Sequence, residues 1–384
     1  MNDFKNSMCK KTVALLFCLG LTIASGGLQA SASEEFDIQA QYEAGEIDSA
    51  FDELPDFAAD DLQKAGIDFS DVSSVSNLNP AGVLASVISV ADDEMEAPLA
   101  AIGVIIALLL FAAVLKGGEV FGDSPLSESM NLVTSLAVGL IIVVPVASLV
   151  DSAGEATEIA TRFTEAFGAI FAGLLVSNGQ TASAAGYSAF LTGAINAASL
   201  CSNDVVMPML RVFLALSCVS ALSDSVRIDA VIRFFEKYAK WILGFTAALI
   251  STVLSISGII SASADSVGAR AAKFVISGSV PVVGGAVSEA YLSIKSGMLL
   301  LRNSVGAFGI IATAYVFLPV IIRTLLWSMV AGAGEAMCDA LKLGGLQKLM
   351  KSLSSALSLL MGLLVFAVFL LTLGEIVVIM QRSA

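Results

Sequence analysis

The side chains of this sequence that could do chemistry are few, and most are charges or helix-breaking residues inside apolar runs. Arg211 follows Pro208 in a weakly apolar stretch, and Arg323 follows Pro319 deep within the run Val305–Ala333. A cation at mid-bilayer costs about 2.5–3.5 kcal/mol on insertion scales, so it is retained where it meets a partner or a water-filled path. Arg211 and Arg323 are therefore candidates for lining a polar pathway, unless the long run ends near Arg323 and leaves it at the inner interface. Glu375 is five residues from the end of the last apolar run, where snorkelling accounts for it. Gly278, Pro281, Gly284 and Gly285 interrupt the apolar stretch FVISGSVPVVGGAVSEA at 274–290. Proline removes a helical hydrogen bond and glycine loosens the backbone. Non-helical backbone at membrane depth survives only when buried in protein or lining water. The expectation is a broken or re-entrant element on the outer side, with an ordinary loop between two amphipathic helices as the alternative.

Much other chemistry is excluded. The sequence has no histidine, so Ser-His-Asp catalysis, HExxH sites and His-ligated zinc are absent. It has no GxxxxGK[ST] phosphate loop and no GxGxxG after a strand. Cys9 and Cys18 lie near the N-terminus, and Cys201, Cys218 and Cys338 are scattered in or beside apolar segments without metal-ligand spacing. No catalytic residue, metal or cofactor is expected, and the chain reads as a non-enzyme.

The elements that must position these residues fall into unlike parts. The chain is 57% hydrophobic and only 14% charged, where a soluble domain carries about 25% charged residues. Residues 1–32 read as a removable signal peptide: Lys5, Lys10 and Lys11 precede an apolar core, and Ala30-Ser31-Ala32 fits a cleavage site. Residues 33–97 hold 17 acidic residues against Lys64 alone, whereas 98–384 hold 16 of each sign. The net charge of −14 thus belongs to the front segment, expected to be extracytoplasmic, solvated and partly disordered. Phe51, Leu54, Phe57 and Leu62 predict one amphipathic helix around 46–65, with Pro55 near its start or kinking it. Docking of this segment to a basic partner surface is a further reading.

Residues 98–384 predict an all-α polytopic membrane domain. The clear spanning runs are Leu99–Leu115, Met130–Val150, Trp241–Ala262, Val305–Ala333 and Ala356–Met380. Weaker stretches at 166–177, 182–200 and 205–222 raise the count to about eight transmembrane helices, with six as the alternative. On the count of eight, 151–165 is an outside loop, and the basic clusters at 223–240 and Lys342, Lys348 and Lys351 both fall in the cytoplasm. Residues 223–240 also read as an amphipathic interfacial helix running into Trp241. Gly244, Ala248 and Thr252 form a small-residue stripe suited to close helix packing, within the chain or between copies.

The runs DVVMPMLRVFLALSCVSALSD at 204–224 and RAAKFVISGSVPVVGGAVSEAYLSIKSGMLLLRNSVGAFGI at 270–310, with the closing apolar span, resemble the stage III sporulation protein AE family of endospore-forming bacteria. The resemblance is weaker across 98–200. It implies a subunit of the mother-cell membrane around the forespore. There it would assemble with other proteins of the stage III operon and a forespore membrane partner into a secretion-like channel, as pore or export gate. A homo-oligomer in the lipid bilayer is expected, and no nucleic-acid partner. A secondary transporter for a small solute and a non-conducting assembly scaffold are the alternative readings.

Overall fold

The computed structural model describes residues 54–67, 80–117, 125–177, 180–222, 233–253 and 284–380, and among these the regular structure is entirely helical. Helix α1 spans Asp56–Lys64 and α2 Pro80–Gly117. Helix α3 spans Pro125–Ser177 and α4 Thr181–Ser199. A π-helical segment, Leu200–Val206, leads directly into α5, Met207–Leu222. Residues 233–253 form α6. Helices α7, Gly284–Ala340, and α8, Gly344–Met380, make the closing hairpin.

Helix α1 follows from its sequence. Pro55 is its N-cap in extended conformation, and Asp56 and Lys64 bring opposite charges to opposite ends of the helix dipole. Gly66 ends it at φ 89°, while Gly66 N–H donates to the Gln63 carbonyl and Ile67 N–H to Leu62. That is a Schellman stop, and the left-handed position is one glycine adopts without strain. The same stop closes α7, with Lys342 at φ 55° and Leu343 N–H donating to the Cys338 carbonyl at 2.9 Å.

The bundle alternates in direction. Ser86 and Tyr315 share a 2.6 Å hydrogen bond, and Glu94 binds Arg323, each pair 229 residues apart in sequence, so α2 and α7 run parallel. Gly309 of α7 meets Phe167 of α3, whereas 316–323 meet 152–159, so α3 runs against α7. The α4–π–α5 rod runs with α7: Tyr187 packs on Phe171, while Met207 reaches Gly154 and Arg211 reaches Asp151. Helix α6 turns back along that rod, since Cys201 bonds Thr246 and Ile250 packs on Phe190 and Ala194. Helices α5 and α7 therefore end at the same end of the bundle, and α1 packs along the middle of α7 beside 316–323.

The core is a continuous apolar cluster. Phe163, Phe167 and Phe171, one turn apart on α3, follow one another at 5.5 Å (stacked) and 5.8 Å (tilted) between centroids, and Tyr187 extends the row at 6.0 Å. Glycines allow the close crossings. A Cβ on Gly309 would sit 2.6 Å from the Phe167 ring, which has little room to yield. Gly309→Val should therefore destabilise the protein by about 1–3 kcal/mol through overpacking. Thermal unfolding in detergent would show the fall in midpoint; an unchanged midpoint would remove this crossing from the account.

Several expectations change. Five helices among the described residues are long and apolar enough to cross a membrane, and the count of eight does not appear in that form. Residues 151–165, expected as an outside loop, lie inside α3, and 166–177 continue the same helix. The stretches 182–200 and 205–222 are one pass, joined through the π segment. The physical reason is that the charges Asp151, Glu155, Glu158 and Arg162 lie on one outward face of α3, so the helix need not break to expose them. Residues 233–240 do run as helix into Trp241, and 223–232 and 254–262 lie outside the described residues. Of the expected broken element at 274–290, residues 284–290 are the first turns of α7, and 274–283 lie outside the described residues. Gly244, Ala248 and Thr252 face outward, and a Cβ on Gly244 would meet nothing within 4 Å, so this stripe packs against no helix among the described residues. The acidic front segment is partly built into the bundle. Helix α1 buries Ala58 and Leu62 completely, and 80–97 begin α2.

Candidate functional site

Two polar sites stand out in the apolar bundle. The first is a cleft of about 380 Å3 between α1, α2, α3 and α7, lined by Phe57, Asp61, Asp93, Glu94, Glu155 and Arg323 among others. Arg323 is positioned by α7 one turn beyond Pro319, and Glu94 by α2 one turn before Pro98. The guanidinium grips the carboxylate with two bonds, Nε donating to Oε2 at 2.5 Å and Nη2 to Oε1 at 2.6 Å. A fork-on-fork pair fixes orientation as well as distance. With four carboxylates and one guanidinium, the lining is acidic on balance. Across the mouth, α1 brings Asp61, which is almost fully buried and accepts from Lys64 Nζ at 3.0 Å. That hydrogen bond holds the Lys64 ammonium above its ordinary range.

Helix α1 is held over the cleft by Leu62, which is fully buried, and by a close approach in which a Cβ on Gly82 would be 3.1 Å from the Ala65 carbonyl. Leu62→Asp should release α1, because a carboxylate in that apolar seat has no partner. Limited proteolysis reads this directly: the variant should be cut between residues 54 and 79 under conditions that spare the parent chain. Equal resistance would mean that α1 is not held by this contact.

The second site is deeper. Glu375 of α8 is fully buried and accepts a 3.0 Å hydrogen bond from the Thr313 hydroxyl of α7. Among the described residues its other oxygen has no hydrogen-bond partner, nor does the buried hydroxyl of Tyr187 on α4. Gly168 and Gly374 make room for this meeting of four helices: their Cβ atoms would lie 1.9 and 2.7 Å from the methyls of Leu191. Ser202 and Asn203, in the π segment, also carry buried oxygens without a partner there. Wide helical turns of this kind recur at functional positions.

The expected site residues separate. Arg323 lines the acidic cleft; Arg211 does not, and its guanidinium instead bonds Asp151 at 2.7 Å on the exposed surface. Gly284 and Gly285 start α7, and Gly278 and Pro281 lie outside the described residues. Glu375 is corrected outright. It does not snorkel to an interface, because Gly374 lets α4 close over it and Thr313 satisfies one oxygen inside the bundle. Sequence reasoning missed Glu94 as the partner of Arg323 and Thr313 as the partner of Glu375. A carboxylate just before an apolar run was the available signal for Glu94; threonine in an apolar helix gives none.

Among the described residues no cluster of three or more acidic or cysteine ligands could hold a metal ion. No solved structure matches the chain. Over 210 residues it is 25% identical to the stage III sporulation protein AE of Bacillus subtilis (strain 168), covering 54% of this chain and 53% of that protein. The match thus spans about half of the curated relative. The family model for stage III sporulation protein AE matches residues 69–383, which include every helix from α2 to α8. The chain belongs to the stage III sporulation protein AE family.

Proposed function

We propose that this chain is an integral membrane subunit of the mother cell–forespore channel complex, contributing to its pore or export gate without catalysis. The observation that carries the reading is the family match from α2 to α8, residues 69–383. Five membrane-length helices support the membrane assignment. The charge distribution supports an orientation. Lys342, Lys348 and Lys351 lie at the hairpin end, and α1 with Asp92, Asp93 and Glu96 lies towards the other. By the positive-inside rule the hairpin end is cytoplasmic and the acidic end faces the space between the two membranes. There α1 and its cleft would meet a forespore partner, while other proteins of the stage III operon and further copies of the chain complete the complex.

The test is an in-frame deletion in the native host. It should leave engulfment intact and reduce a late forespore reporter to background, with the chain restored in trans recovering it. Normal reporter activity and spore number in the deletion strain would refute the reading.

A further inference from the structure

The long helices cannot lie wholly within a bilayer. At 1.5 Å per residue, the 53-residue α3 and 57-residue α7 are about 80 and 85 Å long, against a hydrocarbon core of about 30 Å. Outward-facing residues show where the change of surroundings falls. On α3 the exposed stripe begins with Val133, Leu136, Leu140 and Val144, all large and apolar. After Ser148 the same stripe reads Asp151, Glu155, Glu158, Arg162 and Glu165, and among the described residues no large apolar side chain is exposed again until Val176 near the end of the helix.

Three other helices switch at the same level. On α2 the exposed acids Asp92, Asp93 and Glu96 give way to Leu99, Val104, Leu110 and Phe111, while Leu84 and Ile88 are exposed on the far side of the acids. On α5 Arg211 is followed by Val212, and on α7 Arg323 is followed by exposed Leu325 and Met329. The levels coincide because ion pairs tie them together: Glu94 with Arg323 joins α2 to α7, and Asp151 with Arg211 joins α3 to α5. Glu155 and Arg323 line one cleft, which sets α3 level with α7.

We infer that this plane of ion pairs is the outer edge of the bilayer on the α2–α3–α5–α7 face. Residues 99–117, 130–148, 212–222 and 325–340 are embedded in lipid, and the segments 80–96, 151–177 and 306–323 stand in water as a helical head. The apolar band falls a little short of the hydrocarbon thickness, which a bilayer meets by local thinning. Sixteen residues of α2 from Leu99 to Val114 cover about 23 Å, and α3 from Met130 to Ser148 covers about 27 Å. Lys348 and Lys351 on α8 are exposed towards its hairpin end, and long lysine stems allow their ammonium groups to reach the opposite interface. Helix α6 lies on another face: it exposes Arg233, Lys237 and Lys240 near its start and then Trp241, Phe245, Leu249 and Val253 beside rod residues 190–201. Lipid therefore reaches higher there, and the plane is drawn for the α2–α3–α5–α7 face alone. In consequence the acidic cleft opens at the membrane surface, and Glu375 with Thr313 lies in the head's interior. This inference does not depend on the channel reading.

The discriminating positions are Ile88 and Glu158, both exposed and both above the plane. Single nitroxide labels would be placed on the full chain in liposomes at Leu140, Val144, Ile88, Glu155, Glu158 and Glu165. Collision rates with oxygen, which concentrates in lipid, and with a neutral nickel chelate, which stays in water, are then compared. Leu140 and Val144 should prefer oxygen, and the other four should prefer the chelate several-fold. An oxygen preference at Ile88 overturns the inference even if Glu158 is wet, because it would mean that lipid covers the upper half and α3 faces an internal pore. An oxygen preference at Glu158 overturns it directly. Leu140 and Val144 preferring the chelate would do the same.

Discussion

Replacing Glu375 with lysine is expected to remove the folded protein from the membrane fraction. The carboxyl is fully buried at the meeting of α3, α4, α7 and α8, and among the described residues Thr313 alone donates to it. An ammonium there gains no anion, and a sealed, unpaired charge costs several kcal/mol, a large part of the roughly 5–15 kcal/mol that holds a domain folded. Glu375→Gln keeps the acceptor for Thr313 and should fold. Glu375→Leu is more informative. It removes an oxygen without a partner among the described residues, a feature that costs about 1–3 kcal/mol, so its thermal midpoint should equal or exceed that of the parent. If the acid is kept for function, the same variant should lower the yield of heat-resistant spores despite its stability. Size-exclusion profiles of the solubilised protein and spore counts report the two effects separately. A normally folded Glu375→Lys protein would show that the site is not sealed.

The second large effect concerns Arg323 and Glu94. Reversing either charge alone places like charges at bonding distance beside Asp93 and Glu155, or leaves two cations in the cleft. Arg323→Glu and Glu94→Arg should each lower stability by about 1–3 kcal/mol, and the exchanged pair should recover most of it. The magnitude is below that of a buried pair, because the Arg323 side chain is 38% exposed and Glu94 17%, so solvent screens the interaction. A double-mutant cycle of thermal midpoints measures the coupling. Additive losses with no recovery in the exchanged pair would mean that the two side chains act independently.

Much of this was legible in the sequence, for identifiable reasons. The start of α1 at Pro55 follows from a fixed backbone angle and the missing N–H, which only the first turn tolerates. Helices α5 and α7 still end at the same end of the bundle, as the count of eight required, because joining 130–150 with 166–177 and 182–200 with 205–222 removes expected crossings in a pair. The crossings themselves failed where composition carries two meanings. Phe167, Phe171 and Phe190 make 166–177 and 182–200 apolar because they fill the bundle's core, and hydropathy does not separate a core-facing helix from a lipid-facing one. Likewise Asp151 to Glu165 look like a loop in a linear reading and become one exposed stripe at helical period. The pairs were harder still. Glu94 and Arg323 are 229 residues apart, and nothing local to either predicts the other.

The most direct test of the functional account is capture of the full-length tagged chain from sporulating cells of its native host, in mild detergent, after engulfment. The account predicts a complex well above the 39.5 kDa of one chain, containing several copies of it and other proteins of the stage III operon. Recovery of the chain as a lone monomer, from cells in which those operon proteins are present and solubilised, would contradict it.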